Sequence, residues 1–266
     1  MAVTDRRPDL TLVVPTYNER GHLEDLAAQL FAATDAAGVT LELVIVDDNS
    51  PDGTGAIADQ LAAVRRVKVI HRPGKLGLGS AVVEGIRVAE ADVVGVIDAD
   101  FSHPPPLVPR MYAVFVATCA DMAVASRYVQ GGGTSGWPLG RRIMSRVACW
   151  LARPLTPIRD AVSGFFMIRR ELAVRTIVKA EGFKIGLELL VRARPARLVE
   201  LPFQFANRKA GKSKMGSHET VKYLVQLRDL YWMHLTGPRP AGRSYRLVSP
   251  GEVETFAATR SFGASK

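Results

Sequence analysis

The sequence predicts an α/β fold, a mostly parallel sheet with helices on both faces. Three observations carry this. Short runs rich in Val, Leu and Ile alternate with longer segments of helical periodicity over the first hundred residues, as repeated βαβ units do. These runs are apolar throughout, the pattern of strands buried on both faces. At 266 residues and 47% hydrophobic, the chain is long enough for one large domain, or one domain with an appendage, around a substantial core.

The elements follow in order. Leu10 to Val14 reads as a first strand ended by Pro15, and Glu19 to Ala37 as a helix with Leu23, Leu26, Ala27, Leu30 and Phe31 at helical spacing. Leu41 to Val46 is a second strand, with Ser50 as N-cap of a helix reaching Val64. Val67 to Ile70 is a third strand, Ser80 to Ala89 a helix and Val93 to Ile97 a fourth strand. Beyond it the spacing predicts helices at Leu107 to Cys119, Arg141 to Leu155 and Leu187 to Arg194, and strands at Met122 to Ser126, Phe165 to Ile168 and Arg197 to Phe205. Gly131 to Gly133 reads as a flexible loop. Val221 to Leu235 is an amphipathic helix, and from Gly237 the chain reads as a polar, loosely ordered tail.

The formal charge of +9 points to anionic partners: nucleic acid, phosphorylated small molecules or anionic membrane surfaces. Aromatic residues are only 7% and do not interleave with the basic clusters, which disfavours nucleic acid. Cys119 and Cys149 lack metal-site spacing and read as buried free thiols in a reducing compartment. Met1 to Leu10 is polar and charged, without the pattern of a secretory signal. Met111 to Ala125 is too short to span a bilayer and contains Asp121, so no transmembrane helix is expected.

Asp98-Ala99-Asp100 ends the fourth strand, where open α/β sheets bind ligands. Paired carboxylates there are costly to bury unless a cation sits between them and an anion, and hard oxygen donors favour Mg²⁺ or Mn²⁺ with phosphates. Two solvated aspartates at a strand end would read the same way. Pro15 to Glu19 (PTYNE) and Val46 to Asp52 (VDDNSPD) end the first and second strands alike. Singly, each also reads as a turn or helix cap; together they place three polar strand ends on one sheet edge. Gly74 to Ser80 (GKLGLGS) fails as a P-loop, because no Gly-Lys-Ser/Thr closes it. It reads as a tight turn near a nucleotide, with Lys75 adding positive potential.

The ordered series PTYNE, VDDNSPDG, DADFSHPP, Ser126-Arg127-Tyr128, Trp137 to Ser145, Asp160 to Phe165 and Arg208 to Lys214 resembles glycosyltransferase family 2, and within it the polyprenol (dolichol) phosphate mannose synthases. The resemblance runs from about Leu10 to Gly216. It implies a GT-A (Rossmann-like) fold with a catalytic domain over residues 1–216; beyond it, the apolar spacing places a helix over 217–236 and the polar composition a tail over 237–266. It implies inverting transfer of mannose from GDP-mannose to a polyprenyl (dolichyl) phosphate. Position by position, Pro15, Tyr17, Glu19, Val46 and Asp48 would hold the guanosine, and Asp98, Ala99 and Asp100 would line the diphosphate. Asp100 would ligate the metal, joined by Ser102, which stands where relatives often have Gln and would reach the ion through a bridging water. Arg127, Arg141, Arg208 and Lys214 match basic residues around the phosphates, and Lys184 is a further candidate.

A UDP-sugar donor or a different acceptor is the alternative within the family. Some relatives carry carboxyl-terminal transmembrane helices; none is expected here. The expectation is therefore a cytoplasmic protein held peripherally at the cytoplasmic face of a membrane, with a membrane-protein partner as a further option. Arg141 to Arg153 and Val221 to Leu235 are the candidate interfacial helices, with core packing as the competing use of each.

Overall fold

The computed structural model describes residues 6–176, 184–206, 217–237 and 242–261. Strands β1 (Leu10–Thr16), β2 (Leu41–Asp47), β3 (Val67–His71) and β4 (Val93–Val96) are parallel, and β1 lies between β2 and β4. β5 (Met122–Ser126), β7 (Phe166–Arg169), β8 (Arg197–Pro202) and β10 (Ser244–Leu247) complete an eight-stranded sheet in the order β10-β8-β5-β7-β4-β1-β2-β3. β7 alone in this sheet runs antiparallel to its neighbours, β4 and β5. β6 (Gly133–Thr134) and β9 (Gln204–Phe205) form a separate two-stranded parallel ribbon. The Gly131 to Gly133 segment is therefore partly paired rather than a free loop.

Both faces of the sheet are covered, which is why its central strands are apolar on every side. Leu10, Leu12 and Val14 of β1 pack with α1 (Leu23–Ala36) and α4 (Leu107–Ala117), while Val13 faces α3 (Leu78–Val88) on the opposite layer. Gly85 sits where α3 crosses β1; a Cβ there would collide with the Val13 side chain, so only glycine permits this approach. α2 (Thr54–Val64) joins the first layer, and α6 (Arg170–Arg175) and α7 (Ile185–Arg192) the second. α5 (Leu139–Ala152) and α8 (Ser217–Thr236) pack with α7 around Cys149, Leu187, Val191, Tyr223, Leu227 and Leu230.

Several expectations are corrected. Ser50 does not cap α2; Gly53 precedes that helix, and Ser50 instead donates to Asp47. β1 continues through Pro15 to Thr16, because its ladder with β4 has ended at Val13 and the missing proline N–H costs nothing on that side. Cys119 is exposed, at a left-handed turn (φ 49°) after α4, while Cys149 is buried. Residues 242–261, within the segment expected to be a loose tail, are instead packed on the domain. β10 pairs with β8, and α9 (Pro250–Ser261) packs on α4 with Val253 buried and Arg110 bonded to Glu254. Among the described residues no helix is long and apolar enough to cross a membrane.

Candidate active site

The three polar strand ends meet because β4, β1 and β2 are sheet neighbours. Pro15 pairs in register with Val46 and Thr16 with Asp47, so the candidate nucleoside residues Pro15, Tyr17, Glu19, Val46 and Asp48 form one continuous edge. Each of these strands leaves the sheet through a residue of positive φ: Asn18 (61°), Asn49 (57°) and Phe101 (59°). Asparagine tolerates that conformation; phenylalanine does not do so readily, and such strain collects at working sites.

Asp47 is structural. Its buried carboxylate accepts from Thr16 Oγ1 (2.9 Å) and the Ser50 backbone N–H (2.9 Å), tying the ends of β1 and β2 together. Asp48 is held differently. Arg72, almost wholly buried after β3, donates to Asp48 Oδ1, and the Gly77 N–H donates to Oδ2 (3.1 Å). Gly77 adopts φ of 100°, a turn open to glycine, and Arg72 also donates to its carbonyl (3.2 Å). Asp48 thus secures the Gly74 to Gly79 loop, whose Lys75 ammonium lies 4.1 Å from the centre of the Tyr17 ring. Arg72 was not singled out from the sequence; its position directly after a strand, beside this loop, was the available signal.

Asp98 and Asp100 differ in exposure. The Asp98 side chain keeps 31% of its surface, whereas Asp100 is buried. Ser102, fully buried, donates both its backbone N–H (3.0 Å) and its hydroxyl to Asp100 Oδ1. Ser102 therefore orients Asp100. Among the described residues no group of three or more His, Cys, Asp or Glu side chains could enclose a metal ion. An aspartate pair at a strand edge suits an ion such as Mg²⁺ or Mn²⁺ that keeps waters and takes further oxygens from a diphosphate. The oxygen donors present fit such an ion.

His103 is a site residue that sequence reading did not separate from its motif. It is buried, and its Nδ1 accepts from the Asp98 N–H (3.1 Å), which places the proton of the neutral ring on Nε2. Burial lowers its pKa, and the nearby Asp98 and Asp100 carboxylates only partly oppose that. The ring stacks on Phe165 at 5.0 Å and meets the edges of Phe203 and Phe205. This aromatic group leads from the aspartates to the basic half of the site.

There Arg127 and Arg141 surround Trp137 and Phe205. Arg141 lies 3.7 Å from a Trp137 ring centre and Arg127 5.2 Å. Arg127 is buried and clamped by Asp160, through Nε to Oδ2 (2.7 Å), Nη2 to Oδ1 (2.6 Å) and its backbone N–H (2.9 Å). Burial disfavours the Arg127 charge, but Asp160 outweighs it and raises the pKa. Asp160 is in turn set by Glu200, which accepts from the Arg159 and Asp160 backbone N–H groups and from the Tyr245 hydroxyl of β10. Lys184, at the start of α7, has its pKa pushed down to about 8 by burial and by the Arg127 charge, against the pull of Asp98 and Asp160. Arg208 and Lys214 lie outside the described residues.

Comparisons with known proteins place the chain among relatives. Residues 11–176 match the model of glycosyl transferase family 2. The chain is 39% identical over 219 residues to a dolichol-phosphate mannosyltransferase of Pyrococcus furiosus, covering 81% of this chain and 61% of that protein's length. It is 36% identical over 236 residues to the dolichol-phosphate mannosyltransferase of Saccharomyces cerevisiae, covering 84% of this chain and 87% of the yeast protein. Among solved structures, mannosyl-3-phosphoglycerate synthase of Rubrobacter xylanophilus superposes with a TM-score of 0.61 at 18% identity, over 87% of this chain and 77% of the other. A Pyrobaculum calidifontis mannosyltransferase in complex with GDP-Man and Mn²⁺ gives a TM-score of 0.56 at 16% identity, over 98% and 74% of the two chains.

The mostly parallel sheet with one antiparallel strand and flanking helices is a GT-A fold, and the family match makes the chain a glycosyltransferase. The chain belongs to glycosyl transferase family 2.

Proposed function

We propose that the chain transfers mannose from GDP-mannose to a polyprenyl (dolichyl) phosphate, inverting the anomeric configuration. The observation that carries this reading is the division of one site into two halves, an acidic nucleotide edge at Asp48, Asp98 and Asp100 and a basic recess at Arg127 and Arg141, joined through His103 and Phe205. The names of the Pyrococcus and yeast relatives support mannose and dolichol phosphate, and the GDP-Man complex of the Pyrobaculum enzyme supports the donor.

The chemistry suits such a site. A phosphate acceptor is ionised at neutral pH, so no side chain has to act as a base. A phosphate oxygen bonds to the anomeric carbon while that carbon's bond to the diphosphate breaks, its electron pair leaving on GDP. Attack from the face opposite the leaving group converts an α-linked donor into a β-linked product. What remains for the protein is positioning and charge. Tyr17 and Asp48 would hold the nucleoside, and Lys75 and Lys184 would face the diphosphate. Arg127 and Arg141, with Arg208 and Lys214, would draw the acceptor phosphate toward the sugar. Mg²⁺ or Mn²⁺ on Asp100, oriented by Ser102, would neutralise charge on the departing diphosphate.

The lipid acceptor would be met at a membrane surface. α5 leaves Leu139, Ile143, Met144, Val147 and Trp150 exposed, beside the exposed Arg142, Arg146 and Arg153. α8 is fastened to α5 by Tyr223 Oη to the Ala148 carbonyl (2.7 Å) and leaves Val221, Leu224, Trp232 and Leu235 exposed. Each helix thus gives one face to the core and an apolar remainder to its surroundings, a pattern that fits peripheral attachment.

Nucleotide titration by calorimetry, with Mg²⁺ present, tests the donor assignment. GDP is expected to bind and UDP to compete poorly. Tighter binding of UDP would move the donor to a uridine sugar.

A further inference from the structure

Trp137 carries a hydrogen-bond donor that no described residue uses. The residue is 9% exposed, and its buried Nε1 has no hydrogen-bond partner among the described residues. Buried indole N–H groups normally find an acceptor, and an orphan invites an explanation.

The surroundings narrow what that acceptor is. The Arg141 guanidinium lies 3.7 Å from a Trp137 ring centre, and Arg127 lies 5.2 Å from one. The Phe205 ring closes on it edge-on at 5.0 Å. Asp160, the carboxylate paired with Arg127, already accepts from Arg127 N, Nε and Nη2. A donor on a ring that two guanidinium groups approach is complementary to an anion. Stacking also holds a guanidinium by its face and consumes none of its in-plane N–H groups. Tryptophan thus positions an arginine and presents a third donor type beside it. Phenylalanine would do only the first.

We propose that Trp137 Nε1–H donates to a phosphate oxygen of the polyprenyl phosphate acceptor, making Trp137 a substrate-binding residue alongside Arg127 and Arg141. This rests on the proposed acceptor chemistry and adds to it a neutral donor. No covalent step involves the indole.

Trp137→Phe keeps a ring for the arginines and removes the donor. With a short-chain polyprenyl phosphate, its KM for the acceptor should rise about tenfold or more, the scale of a lost hydrogen bond to a charged group. KM for GDP-mannose should stay unchanged. An unaltered acceptor KM, or equal rises in both constants, overturns the proposal.

A second measurement does not depend on that variant folding. The chain has three tryptophans, so the indole N–H signals of the ¹⁵N-labelled wild-type protein can be assigned by Trp150→Phe and Trp232→Phe. Adding the short-chain polyprenyl phosphate without donor should shift the Trp137 N–H proton downfield, at concentrations where inorganic phosphate has little effect. Equal response to inorganic phosphate would overturn the lipid assignment. A shift with GDP but not with the prenyl phosphate would overturn the proposal and leave the enzyme reading intact. Absence of any shift, alongside normal transfer activity, would overturn it as well. Failure of the wild type to transfer mannose would strike the functional reading itself, a result that the ligand titration is separate from.

Discussion

Arg127 and Asp160 face each other end-on, with Nε to Oδ2 at 2.7 Å and Nη2 to Oδ1 at 2.6 Å, both side chains buried. The pair is the fixed point of the basic recess. Asp160 occupies two of the three guanidinium nitrogens and leaves the arginine aligned beside Trp137 and Phe205. Two elements distant in sequence support it, Glu200 of β8 and Tyr245 of β10.

Removing one member of a buried pair strands the other charge. Asp160→Asn is expected to cost about 3–5 kcal/mol of stability by urea denaturation, as broken buried ion pairs do. Transfer activity should fall with it even at temperatures where the variant is folded. A variant of wild-type stability would show that the pair is not the anchor described here.

Lys184 gives a pH prediction with opposite signs for binding and stability. Its ammonium, with a pKa near 8, loses its charge as pH rises through that value. If it faces the diphosphate, KM for the donor should rise above about pH 8, and Lys184→Arg should remove that rise. The unfolded chain keeps this proton up to the ordinary lysine value of 10.5. Between 8 and 10.5 the unfolded state therefore binds more protons, and this group's contribution to stability increases with pH. Weaker binding in that window would not come from this group's effect on folding. A flat KM profile for the wild type would remove Lys184 from the site.

The two thiols should react very differently. Cys119 is exposed, while burial and the neighbouring Asp160 push the Cys149 thiol up to about 12. The thiolate is the reactive form. Mass spectrometry after iodoacetamide treatment at pH 8 should find Cys119 alkylated in the native protein, and Cys149 only after denaturation. Native labelling of Cys149 would show that α5 opens readily from α8.

Flotation with liposomes tests the apolar remainder of α5 and α8. The protein should float with anionic vesicles at low salt, and Trp150→Ala with Trp232→Ala should weaken this several-fold, since both rings are 71% exposed and add little to the core. No flotation at low salt would remove the peripheral attachment.

The sheet and the acidic edge were legible because they are written in contiguous residues. A run such as Val93 to Ile97 followed by Asp98 names both the strand and what stands at its end. The support of the site was not, because it joins distant positions. Nothing local to Asp160 announces that it receives Arg127, or that Glu200 sets its backbone. The carboxyl-terminal region misled for a related reason. β10 (Ser-Tyr-Arg-Leu) is held by its ladder to β8 and by the Tyr245 hydroxyl, and α9 docks through few apolar residues, chiefly Val253 and Phe256. Edge pairing of that kind leaves almost no hydrophobic pattern.

The central claim is mannose transfer to a polyprenyl phosphate at the Asp98–Asp100 edge. The most direct measurement follows radiolabelled mannose from GDP-mannose into the organic phase with a short-chain polyprenyl phosphate, with Mg²⁺ or Mn²⁺ and with Asp100→Ala as control. Label should move only with metal and with Asp100 intact. Transfer that is undiminished in Asp100→Ala, or that occurs from a UDP-sugar and not from GDP-mannose, would contradict it.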